Sequence, residues 1–268
     1  MIAIPILLYH SVSRAPSPLI RPFTVTPEVF GIHMDCVIEQ GRVSLTVSEL
    51  AAALEGTIPL PERPVVVTFD DGFADFQDIA LPALRARGVA VTLYVTTGFL
   101  RGSRGAASAP GFDDRMLAWS QLPELETEGV ELGGHSHTHP HLDTLPPARA
   151  RDEIARCKGL LEERLTAPVR SFAYPNGYSS RAVRRLVRGA GYRSACSVKN
   201  QLSSTDDDVF SLARLMVRAD TSLTELRNWL AGVGPPIAPT RERLRTRAWR
   251  LNRRMRALAT GRPTSDLE

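Results

Sequence analysis

A chain of 268 residues can bury one large core or two small ones, and its 43% hydrophobic and 23% charged residues are ordinary for a globular protein. The formal net charge of +4 is concentrated at one end. Residues 237–268 hold nine Arg against three acidic residues, which leaves the remainder at −2 and excludes a nucleic-acid-binding body. The cysteines Cys36, Cys157 and Cys196 are far apart and form no CxxC pair. Neither a disulfide framework nor a cysteine zinc site is indicated, and a reducing compartment is expected.

The first apolar run, residues 2–8, is too short to span a bilayer. It lacks the basic start and small-residue cleavage site of a secretory leader, so it reads as the buried first strand of a cytoplasmic protein. Further β-branched runs predict strands over 65–69, 89–95, 130–132, 169–173, 193–198 and 210–217. Helices are expected over 26–40, 79–87, 147–165 and 180–189. Gly88, Gly129 and Gly191 each separate a helical stretch from an apolar run, where C-terminal caps belong. This alternation indicates an α/β fold with a parallel sheet. About seven such units indicate a distorted or incomplete (β/α) barrel. Residues 98–118, rich in Gly, Ser and Ala, read as a long loop.

The boundaries follow: a catalytic barrel over 1–233, a Pro/Gly linker over 234–240 and a basic tail over 241–268. In the tail Leu244, Ala248, Leu251, Met255 and Leu258 share one helical face with Arg crowding the others. Such a helix packs against its own domain, lies on anionic lipid as a peripheral contact, or binds a partner.

Three stretches carry chemistry, each directly after a predicted strand. "VVVTFDDGFAD" sets Asp70 beside Asp71; neighbouring side chains leaving a strand diverge, so one site can use the two carboxylates for two jobs. "LGGHSHTHPHLDTL" holds His135, His137, His139 and His141. A helical turn there would pair His135 with His139, or His137 with His141, at i and i+4, the spacing that presents two imidazoles to one metal. "RSFAYPNGYSS" places the turn Tyr174-Pro175-Asn176-Gly177 where a backbone N–H can be aimed into a site. In an α/β barrel the C-terminal strand ends converge on one face, and His10 ends the first strand on that face. An Asp-His-His metal site with a spare carboxylate and a spare histidine is equipment for metal-assisted hydrolysis.

"TFDDG", "HSHTH" and "FAYPNG", in this order, resemble the three motifs of the NodB-like polysaccharide deacetylases, the fourth carbohydrate esterase family. The third takes the form found in the poly-N-acetylglucosamine deacetylase branch. The resemblance runs from the N-terminus to about Leu230 and leaves out the tail. It implies that Asp71, His135 and His139 hold one divalent metal, zinc first, with cobalt, nickel and manganese as alternatives. Asp70 would be the general base. The Asn176 N–H would stabilise the oxyanion, with Tyr174 and Pro175 beside it in substrate binding.

Better-known members protonate the leaving amine from a late Leu-x-His motif, but no histidine follows His141 here. In the branch with the "FAYPNG" form the acid histidine ends the first strand in a Tyr-His motif, an arrangement like a circular permutation of the barrel. "LLYHSV" matches it, so the resemblance makes His10 the general acid. His33, on a predicted helix, is expected at the surface. The third-motif Arg that orients the base is Ala173 in this chain, and Arg170, Arg214 and Arg218 are the candidate substitutes. The implied activity is metal-dependent removal of N-acetyl groups from an N-acetylhexosamine-containing glycan or its precursor. Two alternatives are an amide or formamide deacylase acting on a small molecule or lipid-linked sugar, and a non-catalytic barrel that binds glycan or recruits partners through its tail.

Overall fold

The computed structural model describes residues 2–102 and 114–239, together with Arg253 and Met255. Seven short apolar runs become parallel strands: β1 (Ile6–Tyr9), β2 (Pro64–Phe69), β3 (Val91–Val95), β4 (Glu131–Gly134), β5 (Ser171–Ala173), β6 (Ser194–Val198) and β7 (Leu212–Met216). Their spatial order is β1-β7-β6-β5-β4-β3-β2, and β2 pairs back onto β1 from Ile6↔Val66 to Tyr9↔Phe69. The ring is therefore closed. Its weakest seam is β4–β5, registered through Gly134↔Phe172.

Side chains alternate across each strand. Leu7, Tyr9, Val67, Phe69, Leu93 and Leu215 face outward into one large cluster. It is covered by helices that include α1 (Pro27–Glu39), α3 (Leu81–Arg85), α4 (Leu122–Thr127), α5 (Pro147–Glu162), α6 (Arg181–Gly189) and α7 (Leu223–Leu230). Ile6, Val66, Tyr94, Ala173, Cys196 and Leu212 face inward. They meet Val47 and Leu50 of α2 (Val47–Leu54), which plugs the barrel from its N-terminal end. Thr46 starts α2 with a capping box closed by Glu49, and the Val47 N–H donates to Thr92 Oγ1 of β3 at 2.9 Å.

Several expectations change. The run 2–8 is not one strand: Pro5 has no N–H to give, so Ala3–Ile4 pairs antiparallel with Ser203–Ser204 and β1 begins at Ile6. The short strand Val43–Leu45 and α2 were not anticipated, and the segment before α3 is a π-helical turn, Phe76–Ala80. His33 is not a surface residue. It is 1% exposed on the inner face of α1, with Nδ1 3.1 Å from the Tyr9 hydroxyl, and burial lowers its pKa to about 4.

Residues 103–113 of the long loop lie outside the described residues. The loop's ends are pinned where Arg101 N donates to Leu117 O and Leu117 N to Gly72 O. The stretch read as a linker is tied to the barrel: Leu202 N donates to Pro236 O, Ala238 N donates to Leu202 O, and Ala238 is fully buried. Most of the tail lies outside the described residues. Of its two described residues, Met255 is 60% exposed and Arg253 is 3% exposed, the reverse of the apolar-in face expected at those positions.

The plug gives a direct test of the lumen. Leu50→Ala removes a fully buried side chain from the barrel mouth and should cost ~2–5 kcal/mol, read from the shift of the urea midpoint at constant m-value.

Candidate active site

Asp70 continues the β2 ladder, its N–H donating to Tyr9 O at 3.0 Å. Asp71 leaves it, with φ at 75°, and the change of backbone conformation turns the two carboxylates apart. Asp70 points into the barrel and meets Arg214 of β7. Nη1 donates to Oδ1 and Nη2 to Oδ2, both at 2.7 Å, and Nη1 also reaches Thr68 Oγ1 at 3.2 Å. Of the three candidate arginines, Arg214 is therefore the one on Asp70. Arg170 is exposed, and Arg218 lies over Phe23 and pairs with Asp220 at 3.5 Å.

Burial alone pushes the Asp70 carboxyl up. That is the largest single influence, but the Arg214 charge, His135, the Arg214 hydrogen bonds and His10 together outweigh it, and Asp70 is held at about 2. Asp71 is shifted the other way. Burial raises it, and proximity to His10 and His135 only partly offsets the rise.

The histidine stretch is not helical. His135 extends the β4 ladder, its N–H donating to Val95 O at 3.0 Å, and the chain then turns through Ser136 (φ 64°) and His139 (φ 60°). The sequence permits this close packing because Gly133 and Gly134 precede it: a Cβ on Gly133 would stand 2.5 Å from the Tyr94 ring, and one on Gly134 2.3 Å from the Tyr192 hydroxyl. The loop is held from below by Glu153 of α5, which accepts from His137 N, Thr138 N and Thr138 Oγ1 at 2.7–2.9 Å. No local sequence signal marks Glu153, because this clamp joins residues some fifteen positions apart. Ser136 Oγ accepts from His139 N at 3.0 Å and closes the turn.

The result brings His135 and His139 together with Asp71, their Nε2 atoms 3.6 and 3.5 Å from Asp71 Oδ1. The rings lie 4.9 Å apart. His137 turns aside to Thr97 Oγ1, 2.9 Å from its Nδ1, and His141 packs against Tyr178, so those two do not form the second pair that helical spacing allowed.

These residues suit a divalent cation. One ligand atom from each of Asp71, His135 and His139 lies within 4.8 Å of the others. Asp71 Oδ1 is buried without a hydrogen-bond partner. His135 Nδ1 lies 2.8 Å from Ala173 O, an atom that can only accept, so Nδ1 carries the proton and Nε2 is left bare toward Asp71. Burial lowers the pKa of both imidazoles, His139 to about 4, and keeps them neutral and able to ligate. The His139 side chain is 24% exposed against 2% for His135, which puts the open side of the cluster at His139.

His10 follows β1, next in the ring to β2 and β7. Strand alternation sends Tyr9 outward and His10 to the carboxylates, near enough that Asp71 and Asp70 raise its pKa against the larger lowering by burial. Its ring packs on Phe23 at 5.3 Å and its Nδ1 is buried without a partner. The next residue anchors the strand end: Ser11 Oγ donates to Asp75 Oδ2 at 2.5 Å, while burial pushes Asp75 up to about 6. At the end of β5, Asn176 sits half-buried with φ 55° and ψ 10°. Gly177 behind it approaches Val198 so closely that a Cβ would stand 2.4 Å away. Pro175 is buried in this turn. Tyr174 faces the core, its hydroxyl donating to Phe210 O at 2.9 Å, so it supports the turn from behind.

The comparisons with known proteins agree with this geometry. The family model described as polysaccharide deacetylase matches residues 57–195. The Bacillus subtilis protein YxkH is 26% identical over 214 residues, 80% of this chain and 71% of its own. The poly-beta-1,6-N-acetyl-D-glucosamine N-deacetylase of Staphylococcus epidermidis is 22% identical over 221 residues, 78% of this chain and 73% of its own. Among solved structures, the Streptococcus pyogenes deacetylase PplD, in complex with acetate, shares the fold with a TM-score of 0.75 at 24% identity, over 87% of this chain and 99% of that one. A closed seven-stranded parallel barrel with paired carboxylates and clustered histidines at one end, matched by that model over half its length, belongs to the polysaccharide deacetylase family.

Proposed function

We propose that the chain hydrolyses the N-acetyl group of N-acetylglucosamine residues in a glycan, releasing acetate and a free amine. The observation that carries this reading is the bare, buried Asp71 Oδ1 facing two neutral imidazoles, beside a second carboxylate that Arg214 keeps ionised. A divalent ion held by Asp71, His135 and His139, zinc first, would polarise the scissile carbonyl and acidify the attacking water.

The chain's own groups do the rest. Asp70 accepts the proton of the water as its oxygen bonds to the carbonyl carbon. Arg214 fixes the carboxylate plane through two hydrogen bonds, so Asp70 pivots little and stays charged. The Asn176 N–H, with Pro175 and Tyr174 behind it, donates toward the oxyanion. His10 gives a proton to the nitrogen as the C–N bond breaks. Support for cytoplasmic residence comes from Cys36, Cys157 and Cys196, all buried and free. No helix among the described residues is long and apolar enough to cross a membrane.

Three measurements test these assignments. Asp70→Asn should abolish acetate release from N-acetylglucosamine oligomers while stoichiometric metal is retained; persistent activity would remove Asp70 as the base. His10→Ala should lower amide turnover by ~10²–10⁴ yet spare activated aryl acetates, whose leaving groups need no proton. An equal loss on both substrates would reject His10 as the acid.

Arg214→Met should raise the Asp70 pKa, because burial is then opposed only by His135 and His10. Activity requires the carboxylate and is lost as pH falls through that pKa. With the divalent ion in excess, the acid limb of kcat/KM should move up by ~1–3 pH units.

A further inference from the structure

Arg253 is a buried charge with no part in the hydrolytic steps. It lies beyond α7 in the chain, in the basic tail, yet only 3% of it is exposed. Its guanidinium reaches two loops at the C-terminal end of the barrel. Nη1 donates to His141 Nδ1, and Nη2 donates to Asp143 Oδ2 at 3.1 Å. The guanidinium carbon stands 3.6 Å from the centre of the Tyr178 ring, on which His141 also stacks, with centroids 5.4 Å apart and 24° between the planes.

His141 and Asp143 belong to the loop that carries His139. Tyr178 follows the Asn176 turn. Burying a guanidinium is unfavourable unless charge and geometry are both met. Here a carboxylate, an imidazole lone pair and an aromatic face meet them from two separate loops. His139, in its left-handed backbone conformation, thus lies between two clamps: Glu153 grips residues 137 and 138, and Arg253 grips residues 141 and 143.

We propose that Arg253 is a positioning residue: supplied by the C-terminal segment, it locks the His139 loop to the Asn176 turn and so sets the metal-ligand geometry. The inference rests on the metal-centre reading of Asp71, His135 and His139, and its main readout is independent of catalysis.

The experiment uses the full chain. Zn²⁺ affinity is measured by competition with a chromophoric chelator, the Co²⁺ absorption spectrum reports ligand geometry, and thermal melting checks the fold. Arg253→Gln should weaken Zn²⁺ binding by ~10–100-fold and alter the Co²⁺ spectrum, with kcat for N-acetylglucosamine oligomers falling more than KM changes. Arg253→Lys keeps the charge without the planar fork and should recover only part of the affinity. Tyr178→Leu, which leaves the Asp143 pair in place, should give a smaller loss in the same direction and serves if Arg253→Gln does not fold. Unchanged Zn²⁺ affinity and Co²⁺ spectrum, with a lower melting temperature as the sole defect, would overturn the proposal. A parent chain that binds Zn²⁺ but releases no acetate would overturn the deacetylase reading and leave the clamp standing.

Discussion

Arg214 and Asp70 meet inside a closed ring of strands, where the arginine has no exposed surface and the aspartate 3%. Neither charge could be left there alone, since an unpaired buried ion costs several kcal/mol. The two hydrogen bonds between them are therefore a condition of the fold as well as of the chemistry. The pair requires β7 and β2 to present opposite charges to one layer of the lumen, and requires that layer to be dry. Leu50 and Val47 of the plug, with Ile6, Val66 and Leu212 above them, supply the dryness from the N-terminal end. The same low-dielectric setting separates the two adjacent carboxylates. Asp70 has a guanidinium and is held low; Asp71 has none and is pushed up. Only the second is left wanting a cation.

Holding the site together means holding backbone that does not want its conformation. Asp71, Ser136, His139 and Asn176 all adopt positive φ without being glycine, in the turns that follow β2, β4 and β5. Asp and Asn tolerate this region; Ser and His tolerate it less, at a cost of ~1–2 kcal/mol each. The supports are accordingly found at those points: Ser136 Oγ on His139 N, and Glu153 on the two intervening N–H groups. They hold His135 and His139 in place beside Asp71, and a group that bound all three would lose less entropy for it.

What could be seen in the sequence follows from the range of each interaction. Strands and their C-terminal residues were legible because alternation and β-branching are local, and so the face carrying Asp70, Asp71, His135 and His10 could be drawn from spacing. The choice among Arg170, Arg214 and Arg218 could not, because it depends on which residue of β7 points inward and on reach across the lumen. Helical spacing is not what brings His135 and His139 together; the loop does so through left-handed turns and the close packing that two glycines allow. His33 was misplaced because its partner, the Tyr9 hydroxyl, comes from a strand 24 residues away. In contrast, α2 has a local signal: "TVSELAAAL" carries a capping box ahead of a run of strong helix formers. Arg253 had no signal at all, since a charged residue on a polar helical face gives no warning that it will be buried.

Closure of the ring also accounts for how a histidine at residue 10 comes to lie beside carboxylates that come later in the chain. β1 lies between β7 and β2, registered through Leu7↔Leu215 on one side and Tyr9↔Phe69 on the other. A group at the end of β1 is therefore a neighbour both of Asp70 and of the arginine that holds it. In an open sheet the first and last strands in sequence need not be adjacent, and exchanging a late histidine for an early one would move it across the molecule. In a closed ring first and last are neighbours. A place beside Asp70 on the circle of strands can therefore be filled from either end of the sequence. Tyr9 then has a physical part beside it. By filling the outer core against Phe30 and Phe69, with ring centroids 5.2 and 5.4 Å away, it fixes the register that turns the next residue inward.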